Sequence, residues 1–162
     1  MKKKLNLLYK KIAETVNEMI PEEWNRFYFY AQVSETGGGT YFYYQPALDK
    51  NKYVYSLEIP MLFHIDTVEF KKSKRSLFPL SEEIKRTFKE NDQDLWYSFT
   101  VSLDKSGKLK VHFDYTNWFA TEYSFSDQMI IWKNKYLGET PQDEGYIALV
   151  DKYYNEFPDN PI

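Results

Sequence analysis

Apolar and polar positions follow two periods along this chain, and the changes of period mark its elements. Leu5, Leu8, Ile12, Val16 and Met19 recur at helical spacing and predict an amphipathic helix over residues 4–19, which Pro21 ends. From Asn25 to Val33 the period is two: Phe27, Phe29, Ala31 and Val33 point one way, and Arg26, Tyr28, Tyr30 and Gln32 the other. Gly37, Gly38 and Gly39 predict a turn, Thr40–Gln45 the second arm of a hairpin, and Lys52–Ile59 a third strand.

After Pro60 the period lengthens again. Asp66 with Glu69 three residues on has the form of a helix start, and Leu77, Leu80, Ile84 and Phe88 continue as an apolar stripe. Pro79 lies inside that stripe and predicts a kink or two short helices. Alternation returns at Leu95–Leu103, with Leu95, Tyr97, Phe99, Val101 and Leu103 inward and Trp96 outward. The turn Asp104–Gly107 then leads to a fifth strand bearing Leu109, Val111, Phe113 and Tyr115. Ser126–Leu137 reads as a helix stopped by Gly138. Thr140 and Pro141 read as the N-cap and first residue of a last helix that runs to about Phe157.

These elements predict an α+β fold. Residues 1–162 form a single domain: a five-stranded antiparallel meander sheet, an N-terminal helix, a central helical segment between strands 3 and 4, and two C-terminal helices. A domain of this size buries roughly 68–70% of its unfolded surface, enough for a core of its own. There is no cysteine, so disulfides and thiolate chemistry are excluded, in keeping with a reducing compartment. The basic N-terminus lacks the apolar stretch of a signal peptide and no segment has the ~20 apolar residues of a membrane span, which leads to the expectation of a cytoplasmic protein with no membrane partner.

Charge sharpens the picture. The net charge of −3 divides into +3 over residues 1–91 (15 basic, 12 acidic) and −6 over residues 92–162 (6 basic, 12 acidic). An acidic C-terminal part argues against direct binding of nucleic acid and for a basic partner. Aromatic residues make up 19% of the chain, with 15 tyrosines, a residue that suits strands and interfaces alike.

Catalytic and metal-binding patterns are mostly absent. His64 reads as a packed or capping residue. His112 and Asp114 share a strand face and could orient a general base, but a solvated pair on an outer face explains them as well. No Gly-x-Ser-x-Gly occurs. Asp92 and Asp94 lack the glycine and the distal glutamate of a calcium loop. No cofactor is implied. One feature resists a bland account: if odd-numbered strand residues face the core, Tyr28, Tyr30, Phe42, Tyr44, Trp96, His112 and Asp114 crowd the opposite face. Either a helix covers that face or it docks a partner, and partial covering is the preferred reading.

The ordered set of Ile20–Trp24, Gly38-Gly39 before Tyr41–Tyr44, Ile59-Pro60, Glu90–Gln93 before Trp96, Gly107-Lys108 with Phe113–Tyr115, and above all Ile131–Gly138 resembles the YezG-like family of bacterial antitoxin or immunity proteins. The resemblance spans nearly the whole chain; Pro79 departs from the pattern. It implies a small cytosolic inhibitor that binds the nuclease-type toxin domain of a protein exported by the Gram-positive type VII secretion route, with no catalytic residues of its own.

Charge and resemblance then converge on a partner surface. A nuclease domain presents a basic groove, and an acidic, aromatic-rich surface can fill it. The residues expected to make that contact are Asp114, Trp118, Glu122 and Asp127, with Tyr30, Trp96 and Tyr115 as aromatic contacts. Core packing competes as the role of Tyr30 and Trp96. Two other functions stay open: a general interaction module without a toxin, and an enzyme or nucleic-acid binder using His112 and Asp114. Self-association is also left open.

Overall fold

A computed structural model describes all residues, Met1–Ile162. The fold class is α+β, with five α-helices and one five-stranded sheet. The chain divides into two compact units, Met1–Phe113 and Asp114–Ile162.

In the first unit, α1 (Lys2–Met19) leads into the hairpin β1 (Trp24–Ser34) and β2 (Gly37–Pro46), followed by the two-residue β3 (Val54–Tyr55). A 3-10 turn and α2 (Ile59–Phe63) precede the long α3 (Thr67–Glu90), and β4 (Ser98–Asp104) and β5 (Leu109–Asp114) close the sheet. The strand order is β3-β2-β1-β4-β5: the meander runs outward from β1 through β2 to β3, and the helical segment carries the chain back to place β4 on the other side of β1. The β1–β2, β1–β4 and β2–β3 pairs are antiparallel.

The stripe on α1 buries Leu5, Leu8, Ile12, Val16 and Met19, as its spacing predicts. It packs with Leu77, Ile84 and Phe88 of α3 over the sheet face built from Phe27, Phe29, Ala31, Val33, Phe99 and Val101. Each large apolar side chain buried there contributes roughly 1.5–3 kcal/mol. Asp66 caps α3 by accepting the Val68 N–H at 2.8 Å. Pro79 does not divide that helix, which runs unbroken over 24 residues. Proline removes one ladder bond, and the buried stripe on both sides of it outweighs that loss.

Several boundaries differ from expectation for local reasons. The β1–β2 turn is Glu35-Thr36, and Gly37–Gly39 belong to β2. Gly38 sits so close to β1 that a Cβ there would lie 1.9 Å from the Gln32 carbonyl oxygen, so glycine serves cross-strand approach. The third strand shrinks to Val54–Tyr55 because the chain turns at Ser56–Glu58 and Pro60 opens α2. The register pairs Phe42 with Phe29 and Tyr44 with Phe27. Phe42 and Tyr44 therefore belong to the core face, both buried, and do not lie opposite as odd–even counting had placed them. That count fails because the parity of one strand does not carry across a two-residue turn.

The second unit holds a 3-10 turn (Trp118–Ala120), α4 (Phe125–Leu137) and α5 (Glu144–Glu156). Ser124 caps α4: its hydroxyl accepts the Asp127 N–H and the Asp127 carboxylate accepts the Ser124 N–H, both at 3.0 Å. Gly138 ends α4 in the left-handed conformation (φ 69°). The last helix starts at Glu144 with Asp143 as its cap, three residues after the proline expected to open it, because the Asp143 carboxylate accepts the N–H groups of Gly145 and Tyr146. Trp118, Tyr123, Tyr153 and Phe157 form an aromatic core, with the Trp118 centroid 5.3–5.9 Å from the other three. No helix of either unit is long and apolar enough to cross a membrane.

Candidate protein interface

Residues 114–162 carry three lysines against nine acidic side chains, a net of −6, while residues 1–113 carry 18 basic against 15 acidic, a net of +3. The charge asymmetry of the sequence thus coincides with the boundary between the units.

The start of the second unit is a pinned connection. Asp114, buried, accepts the Trp118 indole N–H at 2.6 Å through one oxygen and the Thr116 N–H at 2.9 Å through the other. The Thr121 hydroxyl donates to the Trp118 carbonyl at 2.7 Å. Tyr123 donates to Glu156 at 3.1 Å, and burial followed by that bond pushes the Tyr123 hydroxyl up to about 12. Burial also lowers the Lys135 ammonium and raises the Tyr153 phenol. These bonds fix the backbone from which the remaining side chains project.

Those remaining side chains form the exposed surface. Phe119 is 72% exposed and Tyr115 50% exposed, with Phe125 and, on α5, Tyr146 and Ile147 also exposed. Glu122 reaches into solvent, its side chain 90% accessible, and makes a surface ion pair with Lys152 at 3.4 Å. Such a pair contributes little to stability, so Glu122 can exchange partners cheaply. Apolar rings standing in water on the same segment as an exposed, weakly held carboxylate are a poor arrangement for a solvated turn and a good one for a contact surface.

The seven expected contact residues separate into two groups. Tyr115 and Glu122 are exposed, and Asp127 is half-buried at its cap. Tyr30, Trp96, Asp114 and Trp118 are buried, which corrects the surface placement expected of them. Tyr30 lies in the middle strand and its hydroxyl accepts from Gln32 at 2.9 Å. Trp96 precedes β4 instead of belonging to it, so alternation does not apply; it turns into the core at 5.0 Å from Phe99 and 5.5 Å from Phe113. Asp114 and Trp118 hold each other. The residue pattern does not single out the exposed Phe119; its one signal is a phenylalanine in a connection, next to a tryptophan that already satisfies the core.

Of the residues weighed for chemistry, Asp114 has both oxygens committed as described, and His112 is exposed on the edge strand. No three His, Asp or Glu side chains gather as a set of metal ligands.

Comparison with known proteins adds an independent line. The family model described as "Immunity protein YezG-like" matches residues 5–151. The chain is similar to the Immunity protein YezG of Bacillus subtilis (strain 168), 33% identical over 146 residues that cover 90% of this chain and 96% of that one. It is 31% identical to the Immunity protein YezG of Bacillus spizizenii over 93% of this chain and 92% of that one. It is also 31% identical to the type VII secretion system protein EsaG of Staphylococcus aureus over 94% of this chain and 95% of the relative.

Proposed function

The chain belongs to the YezG-like immunity protein family, and from that premise we propose that it binds the nuclease-type toxin domain of a cognate secreted protein and silences it in a stoichiometric complex, performing no chemistry itself. The observation that carries this reading is the pairing of a −6 charge over residues 114–162 with exposed Tyr115, Phe119 and Glu122 on one connection. Relatives named as immunity proteins, and one named for type VII secretion, support the choice of partner.

A protein that cleaves nucleic acid must present positive potential where the phosphates lie. An acidic unit approaching that groove is drawn in by the same field that draws the substrate. Glu122 supplies charge without first surrendering a strong internal bond, since it pairs at the surface with the exposed Lys152. Phe119 and Tyr115 supply apolar area that loses water on contact, the usual source of binding energy at the centre of an interface. The Asp114–Trp118 bond keeps the segment in one conformation, so little ordering entropy is lost on binding. The complex would form in the cytoplasm, where an exported toxin exists before its export.

The test is to titrate the purified toxin domain with this chain while following its nuclease activity. The expected result is loss of activity that ends at one equivalent. Full nuclease activity at a large excess of the chain contradicts the proposal.

A further inference from the structure

The first unit carries a site of opposite charge. Arg26 and Tyr28 on β1, Ser102 and Asp104 on β4, and Lys108 and Lys110 line a depression of about 150 Å3 on the sheet. The register sets Arg26 against Asp104 and Tyr28 against Ser102, so those four side chains share one sheet face. Asp104 is turned to its own hairpin: one of its oxygens accepts the Ser106 N–H at 2.9 Å, the Ser106 hydroxyl at 2.5 Å and the Lys108 N–H at 3.1 Å. Three cationic residues and one carboxylate, the latter already well supplied with donors, line the depression, and the site keeps a net charge of +2.

We infer that this depression receives one carboxylate from an acidic side chain of a protein partner. The volume suits a single anionic group and lies well below the ~300–1,000 Å3 that a drug-sized ligand occupies. A guanidinium offers paired donors that match the two oxygens of a carboxylate, and the lysines neutralise what remains. Nucleic acid fits less well. It would bring a row of further phosphates to a depression sized for one anionic group, whereas a protein side chain brings one charge. The inference goes beyond the toxin reading: it concerns a different unit, a patch of opposite sign and an acidic partner group.

The experiment is an amide chemical-shift titration of the full chain with a capped oligoglutamate peptide. Saturable shifts are expected at Arg26, Tyr28, Ser102 and Lys110. Arg26→Gln with Lys110→Gln should weaken binding about ten-fold, as loss of charge-assisted bonds implies. Lys3→Gln with Lys74→Gln, an equal change in net charge elsewhere on the unit, should leave it unchanged. If the double variant does not fold, Lys110→Gln alone, on the exposed edge strand, must still weaken it. Equal weakening by the control pair, absence of saturable shifts, or tighter occupation of the same residues by inorganic phosphate or a single-stranded oligonucleotide would overturn the inference.

Discussion

The indole N–H of Trp118 donates to the buried carboxylate of Asp114 across 2.6 Å, joining the end of the last strand to the turn that follows it. Phe119, the next residue, is exposed to solvent. Two adjacent aromatic rings thus differ in place, one anchoring the segment and the other standing in water.

Asp114→Ala removes the acceptor for two donors at once, the Trp118 indole and the Thr116 amide. Each buried donor left unpaired costs about 1–3 kcal/mol. Urea denaturation should show a loss of about 3 kcal/mol, and Asp114→Asn, which keeps a carbonyl acceptor, should lose less.

Trp118→Ala and Phe119→Ala should differ sharply although the residues are neighbours. Trp118 is buried among Tyr123, Tyr153 and Phe157, and its truncation should cost about 3–5 kcal/mol. Phe119 has little to lose, and its truncation should change stability by less than about 0.5 kcal/mol. Parallel denaturation curves decide this, and equal effects would refute the placement of the two rings.

Gly38→Ala should destabilise the β1–β2 hairpin, because the added carbon meets the Gln32 carbonyl oxygen at 1.9 Å and neither backbone can yield without breaking the ladder. A loss of about 1–3 kcal/mol is expected, as for other overpacked sites. Gly107→Ala, with open space around it but φ at 89°, should show only the smaller penalty of a left-handed backbone, roughly 1 kcal/mol. Thermal melts of the two variants side by side measure the difference.

Tyrosine ionisation should be late and linked to unfolding. The folded chain holds the Tyr123 proton to about 12, against an ordinary value of 10.0, and Tyr44 and Tyr153 shift in the same direction. A proton held more tightly in the folded than in the unfolded state stabilises the fold fully below pH 10, and that contribution drains away as pH climbs toward 12. Phenolate absorbance at about pH 11 should therefore fall short of the denatured protein's value and reach it only when the fold is lost. Matching native and denatured titration curves would count against the burial described for these rings.

The sequence revealed some parts of this architecture better than others, and the reasons are physical. The helical stripe of α1 and the alternation of β1 were readable because each element buries one face against a single layer. The Asp104–Gly107 turn and the Gly138 stop were readable because both need left-handed glycine. The face of Phe42 and Tyr44 was not, since it depends on the turn being two residues long. The burial of Trp96 was hidden because it lies outside the strand whose alternation it seems to continue. In the second unit, composition marked an acidic aromatic segment, but which ring of the Trp118–Phe119 pair faces water depends on the Asp114 hydrogen bond, and a pattern of residue types does not show hydrogen bonds.

The most direct test of the interface measures the affinity of the purified toxin domain for this chain and for its Phe119→Ala/Glu122→Lys variant, once the variant is shown to fold. Loss of an interface aromatic and reversal of a steering charge should together weaken binding at least about a hundred-fold, roughly 2.7 kcal/mol, with a slower association rate at low salt. Unchanged affinity and association rate would contradict the claim that the exposed loop of the acidic unit is what grips the partner.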